Sequence, residues 1–342
     1  MKKSNLYSGK QKVTVIDVAK QAGVSISAVS RAFDPKGKCS DTMRARVFSA
    51  ASELGYVPNR LARGIKSRSN LIGILMSDFE NPAYLSLLNQ FTQKIQQKDS
   101  HTLLINIGAE MNARQAAELM VSYRIDGVIV TSTHLPPEII DGCVKYNIPL
   151  VYFGRPLKNQ KATSVYCDNI IGGSMAADLL IRSGYEAPVF VGGPLASTST
   201  VDRQRGFIKK LIELGCDRWL TAEGGAYSYD AGYEATLKLF ESGGQPDSFF
   251  YADDIMACGG MDALRYELNL DVPNQVGVIG VDNIRLSRSK SYNLTTINQP
   301  FEIMVETILN LLNDLIQGVG EADRHVKLPC ELIVRKSTRN IN

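Results

Sequence analysis

Charged side chains stand just beyond the ends of apolar, strand-length runs in the body of the chain, where a small-molecule site is expected. Arg155, Asp253 and Asp282 are placed in this way. In α/β proteins the carboxyl ends of parallel strands meet in a crevice that binds ligands. Carboxylates and a guanidinium form paired hydrogen bonds with hydroxyl groups, so this set of residues indicates a polyhydroxylated ligand.

The N-terminal segment carries a second set of side chains with a chemical use. Ser25 can cap a short helix whose outward stripe carries Ile26, Ser27, Ser30 and Arg31. The other apolar residues of this helix, Val29, Ala32 and Phe33, face inward. Arginine can form a pair of hydrogen bonds with guanine, and hydroxyl groups reach phosphates. Such a stripe is suited to a DNA groove.

Three short helices must position this stripe. Thr14 is predicted to be the N-cap of the first helix, and Asp17, three positions later, nearly completes a capping box. Gly23 is predicted to end this helix. A third helix is expected over roughly Asp41 to Leu54, before Gly55. Two helices joined by a glycine turn, the second with an outward polar stripe, form a helix-turn-helix. On spacing alone, a plain helical hairpin is the alternative.

The distribution of charge divides the chain into two parts. The 342 residues carry a formal net charge of +3, but residues 1–70 hold 14 lysines and arginines against four acidic residues, a net charge of +10. The remainder holds 24 basic and 31 acidic residues, a net charge of −7. A basic head on an acidic body indicates that only the head binds a polyanion. A basic disordered tail is the alternative, and the regular apolar spacing disagrees with it.

Length and composition narrow the class of protein. A chain of 342 residues, 44% of them hydrophobic, is too long for one ordinary core and predicts two or three domains. The apolar runs are too short to span a membrane, and no apolar segment follows the basic N-terminus as in a signal peptide. We therefore expect a cytoplasmic protein with reduced, packing-type thiols. The scattered cysteines are Cys39, Cys143, Cys167, Cys216, Cys258 and Cys330.

The sequence offers no catalytic motif. Its glycine pairs, at 172–173, 192–193 and 224–225, fit neither the dinucleotide fingerprint nor a P-loop. The three histidines, His101, His134 and His325, support neither a Ser/His/Asp grouping nor a metal-ligand spacing. We therefore expect no enzyme activity, no cofactor and no metal. A secreted ligand-binding protein is a second alternative, which the basic head and the missing signal peptide disfavour.

From residue 71 onward, strand-like runs alternate with helix-like stretches, which predicts parallel sheets. Two such sets indicate two similar lobes, with 298–318 returning to the first lobe and 325–337 ending in the second. The expected strands are Leu71–Met76, Leu103–Ile107, Gly127–Thr131 and Leu150–Phe153 in the first set, and Pro188–Gly192, Trp219–Ala222, Phe249–Ala252 and Val276–Val281 in the second.

The longest diagnostic strings are Val13-Thr-Val-Ile-Asp-Val-Ala-Lys-Gln-Ala-Gly-Val-Ser-Ile-Ser-Ala-Val-Ser-Arg31, Glu53-Leu-Gly-Tyr-Val-Pro-Asn59 and Leu61-Ala-Arg63. Together they closely resemble the headpiece of the lactose/galactose repressor (LacI/GalR) family, and the resemblance continues over nearly the whole remaining chain. It implies a sequence-specific transcriptional regulator, expected to be a repressor, whose second helix lies in the DNA major groove.

The resemblance also assigns DNA contacts in the headpiece. Ile26 and Ser27 would contact base edges, Arg31 a base or a phosphate, and Ser30 and Thr14 phosphates. Ser25, at the start of the second helix, is also expected to contact DNA. Two departures from the family are expected to matter: Ala28 stands where threonine is common and would lack one backbone contact, and the apolar Ile26 would select a thymine methyl group.

Residues 58–70 resemble the family's hinge helix, which pairs across a dimer and inserts an apolar residue into the minor groove. A helix this short does not persist alone in water, and Gly64 weakens it further. We therefore expect it to form only on DNA, beside a second chain; an inert tether is the alternative. The implied DNA contacts are Asn59, Ala62, Arg63 and Ile65, with Ile65 as the inserted residue where leucine is usual.

Within the body, the resemblance implies effector contacts at strand ends and helix starts. Asp254 is expected to cap a helix, and Gly154 replaces a common aspartate. The expected ligand is a sugar or sugar derivative, although Arg155 with Arg203 could instead hold an acid or a phosphate. The implied effector-binding residues are Ala83, Tyr84, Arg155, Arg203, Tyr227, Asp253 and Asp282.

The expected architecture is a small all-α helix-turn-helix headpiece followed by an α/β periplasmic-binding-protein-like body of two parallel-sheet lobes. We place a flexible leader at 1–12, the headpiece at 13–57, the hinge at 58–70 and the body at 71–342. Lobe 1 would comprise about 71–182 and 297–318, and lobe 2 about 183–296 and 319–342. The expected partners are a double-stranded DNA operator, the sugar-like effector and a second copy of the chain. A homodimer is favoured over a tetramer, with the protein nucleoid-associated in the cytoplasm and away from membranes.

Overall fold

The computed structural model of the chain describes residues 13–34, 37–57, 68–107, 111–132, 136–155 and 161–340. It divides into two compact units, residues 1–69 and 70–342. In its described parts no helix is both long and apolar enough to cross a membrane.

In its described residues the first unit is a bundle of three short helices: α1 (Val15–Ala22), α2 (Ile26–Phe33) and α3 (Asp41–Leu54). Helices of this length are marginal alone, so the packing of their apolar faces must stabilise them. Val18, Val29 and Val47, one from each helix, are fully buried at the centre of the core. Gly23 and Gly55 end α1 and α3 in the left-handed conformation, as expected from the sequence.

The second unit contains two lobes, each built on a six-stranded sheet flanked by helices. In lobe 1 the strands are β1 (Leu71–Met76), β2 (His101–Asn106), β3 (Gly127–Thr131), β4 (Leu150–Phe153), β5 (Thr163–Cys167) and β11 (His325–Leu328), with helices α4 (Pro82–Gln97), α5 (Ala113–Ser122), α6 (Pro137–Lys145) and α11 (Phe301–Gln317). In lobe 2 the strands are β6 (Pro188–Gly192), β7 (Leu220–Glu223), β8 (Ser248–Tyr251), β9 (Gly277–Val281), β10 (Thr295–Asn298) and β12 (Glu331–Ile333), with helices α7 (Asn169–Arg182), α8 (Thr198–Glu213), α9 (Tyr229–Glu241) and α10 (Asp254–Asp262).

The two sheets repeat one topology. Lobe 1 has the strand order β11-β5-β4-β3-β1-β2 and lobe 2 the order β12-β10-β9-β8-β6-β7. All neighbouring strands are parallel except β12, which runs antiparallel to β10. The first two strands of each lobe lie side by side at one edge, so the strand order reverses within each sheet. The carboxyl ends next to such a reversal form a ligand crevice.

The chain crosses between the lobes three times, and two of the expected lobe boundaries are wrong. Helix α7 lies in lobe 2, because its buried residues pack into that lobe's core, so the first crossing falls near Asp168. Strand β11 pairs with β5 and therefore belongs to lobe 1. The last crossing consequently falls between β11 and β12, near Cys330.

Two of the six free cysteines lie close together, at these crossings. The thiols of Cys167 and Cys330 are near enough to shift each other's pKa, that of Cys167 upward and that of Cys330 downward, and Cys330 Sγ donates to the carbonyl oxygen of Asp168 at 3.5 Å. The even scatter of the cysteines along the sequence does not reveal this pair, because strand pairing between β5 and β11 creates it.

Candidate DNA interface and effector cleft

The N-terminus of α1 is capped as the sequence predicts. The backbone N–H and the hydroxyl of Thr14 donate to one carboxylate oxygen of Asp17, at 2.8 and 2.7 Å. These hydrogen bonds hold the pKa of Asp17 below its ordinary value. The hydroxyl proton of Thr14 is therefore already in use, and this group can donate to a phosphate only after it leaves Asp17.

Helix α2 presents the stripe that the sequence predicts. Ile26, Ser27, Ser30 and Arg31 are all exposed, with Ile26 at 48%. Ser25 caps the helix, since its Oγ accepts from the backbone N–H of Ala28 at 3.2 Å. Ala28 itself is buried, so a side chain at this position faces the headpiece core and not the exposed stripe.

Two arginines counted in the basic charge of the headpiece have a structural use that the sequence analysis did not foresee. Arg44 of α3 donates to the carbonyl oxygens of Ala32 and Gly37, both at 3.1 Å. Arg46 donates to the carbonyl of Ala22 at 2.8 Å. Both guanidinium groups thus satisfy carbonyl groups at or just beyond the C-terminal ends of α1 and α2, where a positive charge is also favourable. The expected hinge contacts Asn59, Ala62, Arg63 and Ile65 lie outside the described residues.

A cavity lies where the strand ends of the two lobes meet. Lobe 2 contributes Asp253 after β8 and Asp282 after β9, together with Arg203 from α8. Tyr227, which follows β7, lines the same cavity. Lobe 1 contributes Ala83 and Tyr84 from the first turn of α4. The structure therefore brings together all the expected effector residues except Arg155.

Arg155 is bound elsewhere. Its Nε and Nη2 donate to the two carboxylate oxygens of Asp202, at 2.6 and 2.9 Å, and its carbonyl oxygen accepts from Thr198 at 2.8 Å. Both partners belong to α8 of lobe 2, so these bonds join the lobes beside the cavity. In this arrangement Arg155 pairs with Asp202 and is not among the residues that line the cavity, so its contact with a ligand stays a prediction.

The acidic pair after β8 has roles different from those expected. Asp253, and not Asp254, is the N-cap of α10, since its Oδ1 accepts from the backbone N–H of Met256 at 2.9 Å. Asp254 is fully buried and accepts from the backbone N–H of Ile284 at 2.9 Å and from the Thr296 hydroxyl at 2.6 Å. Asp254 therefore fixes the loop that carries Asp282.

The backbone at Asp282 is strained. Its φ is +108°, a region in which an L side chain is rare and costs on the order of 1–3 kcal/mol. The Oδ1 of Asp282 accepts from Gln299 Nε2 at 2.5 Å, and Gln299 lies on the crossing that leads to α11. Strain of this kind persists where surrounding bonds fix it, and it is concentrated at ligand sites.

The three buried carboxylates hold protons more tightly than free ones. Burial, and then the neighbouring charge of Asp282, raise the pKa of Asp254 to about 7. Burial is also the largest cause that raises the pKa of Asp282 to about 6 and that raises the pKa of Asp253. The cavity wall therefore carries fewer full negative charges near neutral pH than its carboxylate count implies.

Arg203 is a cationic group on the cavity wall, and its guanidinium is fixed. Nε donates to Asn169 Oδ1 at 2.9 Å, and Nη1 donates to the backbone carbonyl of Ala252. Asn169 in turn donates to the carbonyl of Cys167 at 3.1 Å. Arg203 is 4% exposed, so its guanidinium is a rigid, buried donor in the cavity wall.

Aromatic rings form the opposite wall. The ring of Tyr84 meets Phe153 edge-on with centroids 6.4 Å apart, and Phe153 lies 6.1 Å from Phe301. The hydroxyl of Tyr227 is hydrogen-bonded to Ser197 Oγ at 2.8 Å. Phe153 and Phe301 were not predicted as site residues from the sequence. The first ends a predicted strand and could have been found by the strand-end argument, whereas the second begins a helix and carries no such signal.

A Ser–His–Asp contact exists among the described residues, but it does not form a catalytic site. Ser164 Oγ lies 2.9 Å from His325 Nδ1, and His325 Nε2 lies 3.5 Å from Asp323. Ser164 is fully buried within β5, so its hydroxyl has no access to a substrate.

Comparison with known proteins agrees with this description. Residues 14–59 match bacterial regulatory proteins of the lacI family, and residues 177–338 match the periplasmic binding protein-like domain. The chain is 31% identical to the HTH-type transcriptional repressor PurR of Erwinia tasmaniensis. The alignment spans 331 residues and covers 95% of this chain and 96% of the relative.

Two solved structures are similar over almost the whole chain. The Lac repressor dimer bound to operator and the anti-inducer ONPF superposes with a TM-score of 0.84 at 26% identity, over 96% of this chain and 100% of that one. The complex of the transcriptional regulator CelR with cellobiose superposes with a TM-score of 0.72 at 27% identity, over 95% and 100% of the two chains.

Proposed function

This chain belongs to the LacI family of bacterial regulatory proteins and is a transcriptional repressor with an effector-binding body, and we propose that a sugar or sugar derivative held between its lobes controls its affinity for DNA. It would bind a palindromic operator in the cytoplasm as a homodimer. The similarity to a repressor dimer bound to operator supports the homodimer.

The observation that carries the proposed ligand class is the two-sided cavity. One wall offers buried hydrogen-bonding groups, Asp253, Asp282 and Arg203, and the other offers the rings of Tyr84 and Phe153. A sugar ring has hydroxyl groups around its edge and apolar C–H faces, so it can use both walls. The similarity to a regulator bound to cellobiose supports the same class.

The alternative ligand, an acid or a phosphate, fits less well. Such a ligand would need the guanidinium groups of both Arg155 and Arg203, but Asp202 occupies that of Arg155. Among the described residues, the basic and acidic side chains that line the cavity are then one arginine and two aspartates. A bound anion would meet at least as many acidic as basic groups in a buried site.

Within the headpiece, we propose that Ile26, Ser27 and Arg31 contact base edges. Thr14, Ser25 and Ser30 would contact the phosphate backbone. Their common exposure on or beside α2 supports this assignment. The hinge residues Asn59, Ala62, Arg63 and Ile65 would add minor-groove contacts.

Two measurements on the full chain test the proposal. A thermal-shift panel of D-ribose, D-glucose, cellobiose, D-gluconate, glucose 6-phosphate and adenosine identifies the ligand class, and a neutral sugar should raise the unfolding midpoint most. Duplex operator, selected from random sequences by the protein, is then titrated with and without that sugar. An operator affinity that the sugar leaves unchanged would refute effector control.

A further inference from the structure

The side chain of Asn81 reaches from lobe 1 into the acidic wall of lobe 2. It precedes α4, and its Nδ2 donates to Asp253 Oδ2 at 2.9 Å across 172 positions of the chain. Asn81 is 3% exposed and Asp253 is 1% exposed, so water does not compete for this contact.

The orientation of the Asn81 amide is set by its own helix. Its Oδ1 accepts from the backbone N–H of Ala83 at 2.9 Å, as an N-cap of α4. The oxygen must therefore face the helix, and the NH₂ group must face lobe 2. On the other side, Oδ1 of Asp253 is used to cap α10, which leaves Oδ2 for Asn81.

The cavity behind this contact is small. It measures about 40 Å³, which is room for only a few water molecules, whereas ligand pockets for drug-sized molecules measure hundreds of cubic ångströms. A monosaccharide therefore enters only after the lobes separate. Separation must break the contact between Asn81 and Asp253, because the two residues belong to different lobes.

We propose that Asn81 is a self-ligand of the effector cleft: its carboxamide occupies the carboxylate oxygen of Asp253 through which this residue would hold an effector, and so latches the lobes together. An effector that bonds to Asp253 displaces this NH₂ group and must offer an N–H or O–H donor in its place. Only this second statement depends on the proposed function, since the latch itself requires no effector.

An exchange of the two side chains tests the latch. Asn81→Asp keeps the cap of α4 but sets two carboxylates against each other, and Asp253→Asn keeps the cap of α10 but sets two NH₂ groups against each other. The double variant Asn81→Asp/Asp253→Asn restores one donor and one acceptor with their direction reversed. A residue that only supports folding would give no such rescue.

The readout is amide hydrogen exchange of the full-length protein without effector, in peptides that cover residues 81–91 and 253–262. Each single variant should exchange about tenfold faster than wild type or more, which is the effect expected when a buried hydrogen-bonding group loses its partner. The double variant should return to within about threefold of wild type. A double variant that exchanges as fast as the faster single variant would overturn the latch.

Asn81→Ser tests the displacement. Serine also caps a helix but is too short to reach Asp253. Each compound of the sugar panel that binds wild type should bind this variant about tenfold more tightly, because no internal bond has to be broken. Weaker binding would make Asn81 an ordinary ligand contact and refute the self-ligand. If no compound of the panel binds, the proposed ligand class is refuted. The Asn81–Asp253 contact is still decided by the amide-exchange measurement, which uses no ligand.

Discussion

Replacing Arg44 with alanine is expected to abolish operator binding by unfolding the headpiece and not by removing a DNA contact. The change deletes two hydrogen bonds of 3.1 Å, to the carbonyls of Ala32 and Gly37. Hydrogen bonds from charged groups contribute about 1.5–3 kcal/mol each when buried. Arg44 is half-buried, so we expect a total loss of about 2–3 kcal/mol.

That loss is large for the headpiece. Among the described residues, the buried side chains of its core are only valines and alanines, and domains of this size have a free energy of unfolding of only a few kcal/mol. A loss of about 2.7 kcal/mol lowers the ratio of folded to unfolded molecules about a hundredfold. At 37 °C much of the Arg44→Ala headpiece should therefore be unfolded, while cooling to 15 °C or adding trimethylamine N-oxide should restore part of the binding.

Arg31→Ala is the matched control, because Arg31 is exposed on the same small unit. It should weaken operator binding about tenfold or more, reduce the salt dependence if it contacts a phosphate, and leave amide exchange in α1 and α2 unchanged. Binding is followed by fluorescence anisotropy and folding by amide exchange of the full chain. If Arg44→Ala loses operator affinity while α1 and α2 exchange as in wild type, Arg44 is a DNA contact and the capping argument is wrong.

The body offers three further expectations. Since the pKa of Asp254 is raised to about 7 and that of Asp282 to about 6, the folded state keeps protons that the unfolded chain releases near pH 4, and the free energy of unfolding should fall as pH rises from 4 to 7. Thermal midpoints across this range should change less in Asp254→Asn, and an identical slope would contradict the assignment. Tyr227→Phe keeps the ring but loses its hydroxyl bonds, so the midpoint should fall by roughly 2–3 °C, about 1 kcal/mol. Asp202→Asn releases Arg155, so binding of D-gluconate relative to D-glucose should increase in calorimetric titrations; no change would place Arg155 away from the ligand even when it is free.

The strands that the sequence predicts best are those buried on both faces. The strand β1 has the bounds Leu71–Met76 expected from the sequence, because a parallel strand between two helical layers needs a continuous apolar run. The strands β5 and β10 were not expected, since their sequences are rich in hydroxyl residues. Thr295 and Thr296 are nevertheless fully buried, because each hydroxyl has an internal partner. Hydropathy does not contain that information, which depends on distant segments.

The same distinction applies to the site. Asp253 and Asp282 could be selected from the sequence because each follows a buried strand, and strand ends define the crevice of this architecture. Asn81 and Gln299 could not, although both are hydrogen-bonded to these carboxylates. Their partners lie on other segments of the chain, and only the way in which the three crossings fold the lobes together brings them into contact.

The double role of Asp253 has a consequence for how the cleft responds to a ligand. One carboxylate oxygen caps α10 and is favoured there by the positive end of the helix. Rotating the side chain toward a ligand would break that cap, which costs about 1 kcal/mol. The carboxylate therefore stays in place, and its other oxygen must exchange partners as lobe 1 moves. Binding at this position should accordingly change the angle between the lobes and leave the conformation of lobe 2 as it is. A change of interlobe angle is the motion that the three crossings can transmit along the chain.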